Sequence, residues 1–513
     1  MEELKELWQE GLKFFRGHRT FLVVFLSLAI LLFVFTRFFN LTRLPIFCDE
    51  AIYIRWAQIA WHDASQRFIS LTDGKQPLQT WLTIPFLKII VDPLAAGRAQ
   101  AGMVGFLSLL VAMVLAVVYF ADIKASVVML GLVLITPYLL FFDRMALAES
   151  LLALFGTGAF LLSYLLGKMR RLDLALIAGV WLGLGLLVKS QALFFLILFP
   201  FGLIFTIKSS HQKDRNKEAI KFLILYSLAA VIALVIYNVQ RLSPWMHIIS
   251  QKNETFVVPL GQALKEPQRF FYNLQLAIGW FWNYLTPPIF IASVWGIFLF
   301  LKKDFFKGAF LAAWVLAPLL GESLIARVFT SRYTAFLTPI LLLGAVFFFI
   351  NTLSYFKKRR KILLVFLILM LVLPLWRDYQ LIFAPEKFPF AKTDRGYLEG
   401  WTAGYGIVEI ANKVKREALS GKVIVGTEGT FGLLSQGLEI YLDGVDNTGV
   451  VGYYPLPELP PEELLDRVIG GEKAYFLVNN TPGNFENKNL HLLREYPKVD
   501  SLSSLRLYEI IQE

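Results

Sequence analysis

The sequence predicts a polytopic α-helical membrane protein with a small C-terminal extracytoplasmic α/β domain. Three observations predict it. Over 513 residues the chain is 56% hydrophobic and only 17% charged, whereas soluble chains stay near about 25% charged and split into separate cores as they lengthen. The apolar residues fall in repeated runs long enough to cross a bilayer, about 20 residues each. After Asp394 the runs shorten and alternate between helical and strand periods, the pattern of a small water-facing domain.

The formal charge of +11 is not the footprint of a nucleic-acid binder, which needs its basic residues gathered on one surface. Here they cluster between apolar runs, at 168–171, 208–221, 302–303 and 357–361. That is the positive-inside pattern of cytoplasmic loops. It implies a multi-pass protein of the cell membrane (plasma or inner), with its N-terminus cytoplasmic. Residues 1–19 form a basic amphipathic stretch, and no small-residue cleavage site follows the next apolar run, so that run is read as an uncleaved span. A single cysteine, Cys48, excludes an intrachain disulfide framework and a Cys-based zinc site.

Taken in order, 20–40 crosses outward and delivers the polar loop 41–98 to the outer face. Within that loop, 78–91 holds about 14 residues including Lys88, a length more often re-entrant or interfacial than spanning. With it lying on the surface, spans follow at 99–120, 125–142, 145–166, 172–188, 191–207, 220–240, 277–301, 308–325, 333–351 and 362–376. Every basic cluster then falls inside. Counting 78–91 as a span would put the clusters outside. The sum is about eleven spans, making 20–376 the transmembrane domain and leaving the C-terminus outside. Pro374, Pro385 and Pro389 mark a linker, and 377–513 is the linker and extracytoplasmic α/β domain. Its expected elements are helices at 407–419 and 461–469 and strands at 422–427, 438–442, 473–478 and 505–511.

Ionisable residues at span ends are the informative ones in such a chain. Asp49 and Glu50 are adjacent carboxylates just after the first span. One of them serves as a general base, or Asp49 caps a helix starting near Ala51 while Glu50 favours its positive end. Lys75, in the turn Asp73-Gly74-Lys75-Gln76-Pro77, either holds a phosphate at headgroup depth or snorkels to anionic lipid. Arg98, Arg144 with Glu149, Lys189 and Arg332 complete the outer-face set. Several cations beside carboxylates suit an amphiphile carrying phosphate next to a reaction that moves a proton. No cofactor is certain; for a divalent metal, His247 and Glu254 in the loop 241–275 are weak candidates, since a lone His there is more often interfacial than a ligand. The aromatic and glycine-rich stretch 396–406 either folds back over the site or caps its own domain, and the capping loop is the favoured reading.

The ordered motifs resemble the integral-membrane glycosyltransferases of the C superfold, in particular the protein O-mannosyltransferase and lipid A aminoarabinose transferase branch. Asp49-Glu50-Ala-Ile-Tyr53 looks like that branch's Asp-Glu motif. Lys75-Gln76-Pro77-Leu78 with Trp81 is similar to its Lys-Pro-Pro-Leu-x-x-Trp element, with Gln76 in place of a proline. Arg98 falls where such chains open the next helix with Arg. Arg144 with Glu149 is similar to an Arg-x-x-x-x-Asp pattern, with Glu in place of Asp. The stretch 183–189 resembles a Gly-Leu-rich helix ending in Lys, and Arg332-Tyr333 with Pro339 an Arg-Tyr-x-x-x-x-x-Pro element. The resemblance implies an inverting transfer from a polyprenyl-phosphate-linked sugar to a lipid, protein or glycan hydroxyl on the outer face. It implies Asp49 as base, Glu50 positioning groups around it, and Lys75, Arg98, Lys189 and Arg332 around the donor phosphate, with Tyr53, Arg144, Glu149 and Tyr333 in support. Membrane lipids are the surrounding partners and no nucleic acid is expected. The rival reading is a transporter or flippase of polyprenyl-linked glycans, but no internal repeat or pair of broken helices marks a midplane site.

Overall fold

The structure is a computed structural model describing residues 19–209, 211–355, 360–483, 485 and 487–512. The expected amphipathic N-terminus, apart from Arg19, and the basic residues 357–359 lie outside the described residues.

The chain opens with helix α1 (Arg19–Phe38), a two-residue strand β1 (Ile46–Phe47), α2 (Cys48–His62) and α3 (Leu78–Leu87). The 10 residues of α3 rise about 15 Å, half the thickness of a hydrocarbon layer. Helix α4 (Pro93–Phe120) starts at Pro93 rather than at residue 99, because Asp92 Oδ1 accepts the Ala95 amide at 2.7 Å and proline opens the first turn. The earlier start carries Arg98 out of the loop and into a helix. Next come α5 (Ile123–Leu134) and α6 (Pro137–Asp143), one apolar stretch bent by 67° before Pro137.

Helices α7 (Glu149–Met169), α8 (Leu172–Leu186), α9 (Leu193–Leu198), α10 (Leu203–Ser209) and α11 (Arg215–Tyr237) follow. After them come the short α12 (Ile248–Phe256) and α13 (Leu260–Ala263), then α14 (Pro267–Tyr284), α15 (Pro287–Lys303), α16 (Phe305–Ile325), α17 (Thr338–Tyr355) and α18 (Arg360–Phe383). The straight span expected at 277–301 is broken, since α14 and α15 meet at 116°, so the described residues hold two bent helix pairs where no broken helices were expected. Pro287 and Pro288 donate no amide hydrogen, and Thr286 before them sits at φ +71°. By length and composition, six helices among the described residues are able to cross a membrane, or eight if each bent pair is one span. The figure of about eleven is reached only by adding α18 and the shorter apolar helices at 23–38 and Leu172–Leu186.

Helix pairs approach closely where side chains are smallest. At the crossing of α15 and α17, a Cβ on Gly296 would lie 1.8 Å from the Gly344 carbonyl oxygen. Arg37, fully buried in the last turn of α1, donates to the Val133 and Leu134 carbonyls at 2.9 and 3.0 Å and pairs with Asp143 at 3.5 Å. It joins the end of α1 to both arms of the α5–α6 bend.

The tail forms β2 (Ala403–Gly404), α19 (Ile407–Ala418), β3 (Val423–Glu428), α20 (Leu433–Leu442), β4 (Thr448–Tyr453), α21 (Glu462–Ile469), β5 (Lys473–Val478), β6 (Leu490–Pro497) and β7 (Ser504–Ile510). Five strands make one sheet in the order β4-β3-β5-β7-β6, with β3 parallel to β4 and β5 and with β7 antiparallel to its neighbours. The expected strand at 438–442 is instead the end of α20. Leu434, Leu438, Tyr441 and Leu442 recur at helical spacing and are buried together. Strands β4 and β6 were not anticipated. The first is half-buried at every position, with none of the period-two alternation that marks a strand.

Two joints hold the tail to the helical bundle. Strand β1 pairs antiparallel with β2, Ile46 opposite Gly404 and Phe47 opposite Ala403, and the Cys48 amide continues the ladder to the Thr402 carbonyl at 3.0 Å. The stretch 396–406 therefore folds back onto the residues that lead into Asp49 rather than merely capping its own domain. In the second joint, α20 lies along α2. Arg55 binds Glu439 at 3.0 Å and Asp443 at 2.8 Å, Gln58 donates to the Ile440 carbonyl at 2.8 Å, and His62 meets Asp443 at 3.0 Å.

Candidate active site

Helix α2 begins one residue before Asp49, with Phe47 as its cap residue. The capping task falls to Glu50, whose Oε2 accepts the Phe47 amide at 3.1 Å. Glu50 also accepts the Ala146 amide at 2.8 Å and two bonds from Arg98, at 2.8 and 2.6 Å. Arg98 gives its remaining donors to the carbonyls of Leu41, Leu44 and Pro45 at 2.6, 2.9 and 3.0 Å. All of the guanidinium's N–H groups are thus in use, and both side chains are fully sealed from solvent. Glu50 and Arg98 bolt the 41–50 loop to α4 and to residue 146. Arg144 acts similarly, donating to the carbonyls of Thr36, Phe39 and Asn40 at 2.7, 2.9 and 3.0 Å, where α1 ends. These three do not face the open part of the site.

Asp49 does. Its Oδ1 accepts from Lys75 at 3.0 Å and its Oδ2 from Arg332. Arg332 reaches on to Glu149 Oε1 at 2.9 Å, and Lys189 binds the same oxygen at 2.8 Å. The result is an alternating ladder, Lys75–Asp49–Arg332–Glu149–Lys189, assembled from five separate stretches of chain. Glu149 Oε2 is buried and has no hydrogen-bond partner among the described residues. Tyr53 and Trp56 place their rings 5.1 and 5.5 Å from the Lys75 ammonium, and the Tyr333 ring lies 5.0 Å from that of Lys189. Burial alone would raise the Asp49 carboxyl, but Lys75 and Arg332 outweigh it and hold the group well below the usual carboxylate range. Burial likewise opposes the Lys75 charge, yet Asp49 leads the groups that raise it above an ordinary lysine.

Contacts that the motifs do not disclose brace the site from behind. Asp73 contacts Lys75 at 3.5 Å and also binds Lys252, so α12 closes the rear of the Lys75 turn. Gln76, where the resembling pattern has proline, donates to Ser190 Oγ at 2.9 Å, and the Leu78 amide donates to the Leu187 carbonyl at 3.0 Å. These bonds tie the Lys75 turn to the Lys189 turn. The hydroxyl at 190 is the only sequence signal for the pairing, and it lies 114 positions away.

Behind Arg332, the linker residue Asp394 is buried, accepts from Tyr284, and has its carboxyl pushed up to about 6 by burial. The folded state therefore holds this proton longer than the unfolded chain does, and stability should fall as pH rises from 3.8 to about 6. Asp394→Asn is expected to flatten that part of the pH–stability curve, a difference of at most about 3 kcal/mol, as read by thermal unfolding across the range.

His247 is exposed, its Nδ1 donating to the Pro244 carbonyl at 2.9 Å, and Glu254 is exposed on α12. No group of three or more His, Cys, Asp or Glu side chains placed to hold a metal occurs among the described residues.

This fold and site define a class. Residues 68–264 match the family model described as dolichyl-phosphate-mannose-protein mannosyltransferase, a stretch containing Lys75, Glu149 and Lys189 but neither Asp49 nor Arg332. No curated protein matches the sequence. Among solved structures, ArnT from Cupriavidus metallidurans in the apo state aligns with a TM-score of 0.60 at 14% identity, covering 96% of this chain and 98% of that one. The same protein bound to undecaprenyl phosphate aligns with a TM-score of 0.58 at 15% identity, covering 95% and 98%. The resemblance read from the motifs is thus met from two directions: a mannosyltransferase family model fits residues 68–264, and the chain takes the fold of ArnT over 96% of its length.

Proposed function

We propose that this protein is an inverting glycosyltransferase that moves a sugar from a polyprenyl phosphate to a hydroxyl on the outer face of the cell membrane. The observation that carries this reading is the alternating ladder. Lys75, Arg332 and Lys189 against Asp49 and Glu149 leave a net charge of +3 − 2 = +1. A sugar phosphodiester brings −1 and makes the site neutral. When the acceptor oxygen attacks the anomeric carbon, the sugar–oxygen–phosphorus link breaks at its carbon–oxygen bond, and the lipid phosphate leaves as a dianion. The acceptor proton passes to Asp49, raising the ladder to +2 against −2. Charge is balanced before and after, so the preorganised cations stabilise the leaving group as it forms.

In this scheme Asp49 is the base. Lys75, Lys189 and Arg332 hold the phosphate, and Glu149 keeps Lys189 and Arg332 in register. Glu50 and Arg98 fix the loop, Arg98 lying outside the phosphate set. Tyr53 and Tyr333 steady the two lysines through their rings. The binding of undecaprenyl phosphate by an ArnT of the same fold supports this donor. About eleven spans, counted from the positive-inside pattern, would set the ladder at their outer ends.

Mass spectrometry of lipids and surface glycans from cells with and without the protein tests the reading. A sugar-bearing species must vanish in its absence, and an unchanged profile refutes transfer. Gln76→Ala is expected to weaken undecaprenyl phosphate binding about three- to tenfold by loosening the link between the two lysine turns, measured by titration in nanodiscs.

A further inference from the structure

We infer that Trp401 and Phe431, two aromatic rings supplied by the C-terminal domain, form an acceptor subsite that stacks against a saccharide ring. The inference rests on the glycosyltransferase reading and adds the chemical class of its acceptor.

The β1–β2 ladder places Trp401 at the site. Ile46 faces Gly404, Phe47 faces Ala403, and the Cys48 amide bonds to Thr402. Trp401 therefore adjoins Thr402, whose carbonyl holds the residue before Asp49. Phe431 arrives from the loop between β3 and α20, its ring centroid 6.2 Å from that of Trp56, which itself lies beside the Lys75 ammonium. Gly432 sits between the two. A Cβ there would lie 3.3 Å from Cys48 Sγ and 3.9 Å from the Trp401 ring.

Both rings are exposed, Trp401 to 53% and Phe431 to 49%, yet the Trp401 backbone is held firmly. The Trp401 carbonyl accepts from Asn479 at 2.7 Å, and the Gly400 amide donates to Ser503 at 3.2 Å. The Gly400 carbonyl accepts from Lys498, a buried lysine whose ammonium is pulled down to about 8 by desolvation. Sinking a lysine to fix a tryptophan whose ring stays in water stabilises nothing in the ring itself. Rigid, solvent-facing aromatics beside a reacting centre are the composition of a binding surface.

The same bonds select the ligand. The carbonyls of Gly400, Trp401 and Thr402 and the amides of Gly400 and Gly432 are all engaged. A peptide laid along residues 400–402 would find each of their carbonyls already taken. What remains is ring faces, and these match the apolar C–H face of a pyranose while its hydroxyl edge turns toward Asp49.

The test uses the full-length protein in nanodiscs and in cells. With Trp401→Ala or Phe431→Ala, binding of undecaprenyl phosphate should stay within twofold of wild type, thermal stability should hold, and the yield of glycosylated product should fall at least tenfold. Trp401→Phe should restore most of it. The product recovered from wild-type cells should carry the new sugar on a saccharide hydroxyl. Transfer to a protein serine or threonine overturns the subsite, as do an unchanged yield in both alanine variants and a parallel loss of undecaprenyl phosphate binding. Quenching of Trp401 fluorescence by brominated lipid, absent in Trp401→Phe, overturns it in favour of membrane insertion. A wild-type protein that yields no product at all fails the glycosyltransferase reading itself.

Discussion

Asp49→Asn is expected to abolish sugar transfer, by about 10³-fold or more for loss of a general base, and at the same time to tighten the binding of undecaprenyl phosphate. The two effects have one cause. In the free protein the Asp49 carboxylate occupies Lys75 at 3.0 Å and also Arg332, the groups a lipid phosphate must recruit. While so paired, the carboxyl sits well below its usual range and is a poor proton acceptor. In the proposed mechanism, phosphate that draws the two cations toward itself would remove the charges that depress Asp49, so that donor binding makes the base. Asparagine keeps the shape and removes the competing charge, and about tenfold tighter phosphate binding is the expected scale for one such contact near a protein surface. Titration of both proteins with undecaprenyl phosphate at fixed salt decides it. Weaker binding by the asparagine variant would make Asp49 a structural prop of the cations rather than their competitor.

The neighbouring carboxylate behaves oppositely. Glu50→Ala is expected to cost about 3–5 kcal/mol of stability, the range for removing one partner of a buried ion pair. It leaves the fully buried Arg98 guanidinium without its counter-charge and strips acceptors from the Phe47 and Ala146 amides. Thermal unfolding in detergent should show a large drop, and little folded protein should reach the membrane. The combined change Glu50→Leu with Arg98→Met should recover much of that stability, because a well-packed apolar pair replaces a buried ionic one at small net cost. A stable, inactive Glu50→Ala protein would move Glu50 from the scaffold into the chemistry.

The contrast between these adjacent residues shows where sequence reading succeeds and where it stops. The membrane class and the stretches bearing Asp49, Lys75, Glu149, Lys189 and Arg332, which the structure brings together, were legible, since hydropathy and isolated charges are local properties. Which of Asp49 and Glu50 points at the ligand was not. It depends on the helix starting at Cys48 and on Arg98 entering the core after α4 begins at Pro93, shifts of a few residues set by the Asp92 cap. The break between α14 and α15 was written in Pro287 and Pro288, but its 116° angle is a matter of packing. The tail was harder. Helix α20 and strand β4 lack a distinguishing period, and the pairing of β1 with β2 joins two-residue segments that carry no strand signal of their own.

That short pairing has a consequence for how the protein is made. Gly404 lies 404 − 46 = 358 positions after its partner Ile46, so the first outer loop waits through synthesis and insertion of the whole helical bundle before its flanking strand exists. A chain halted before residue 404 has its cations and carboxylates in the membrane but no clamp on the segment leading into Asp49. On the proposed function, the nascent protein is therefore expected to gain activity only when the final domain has formed and docked on this loop.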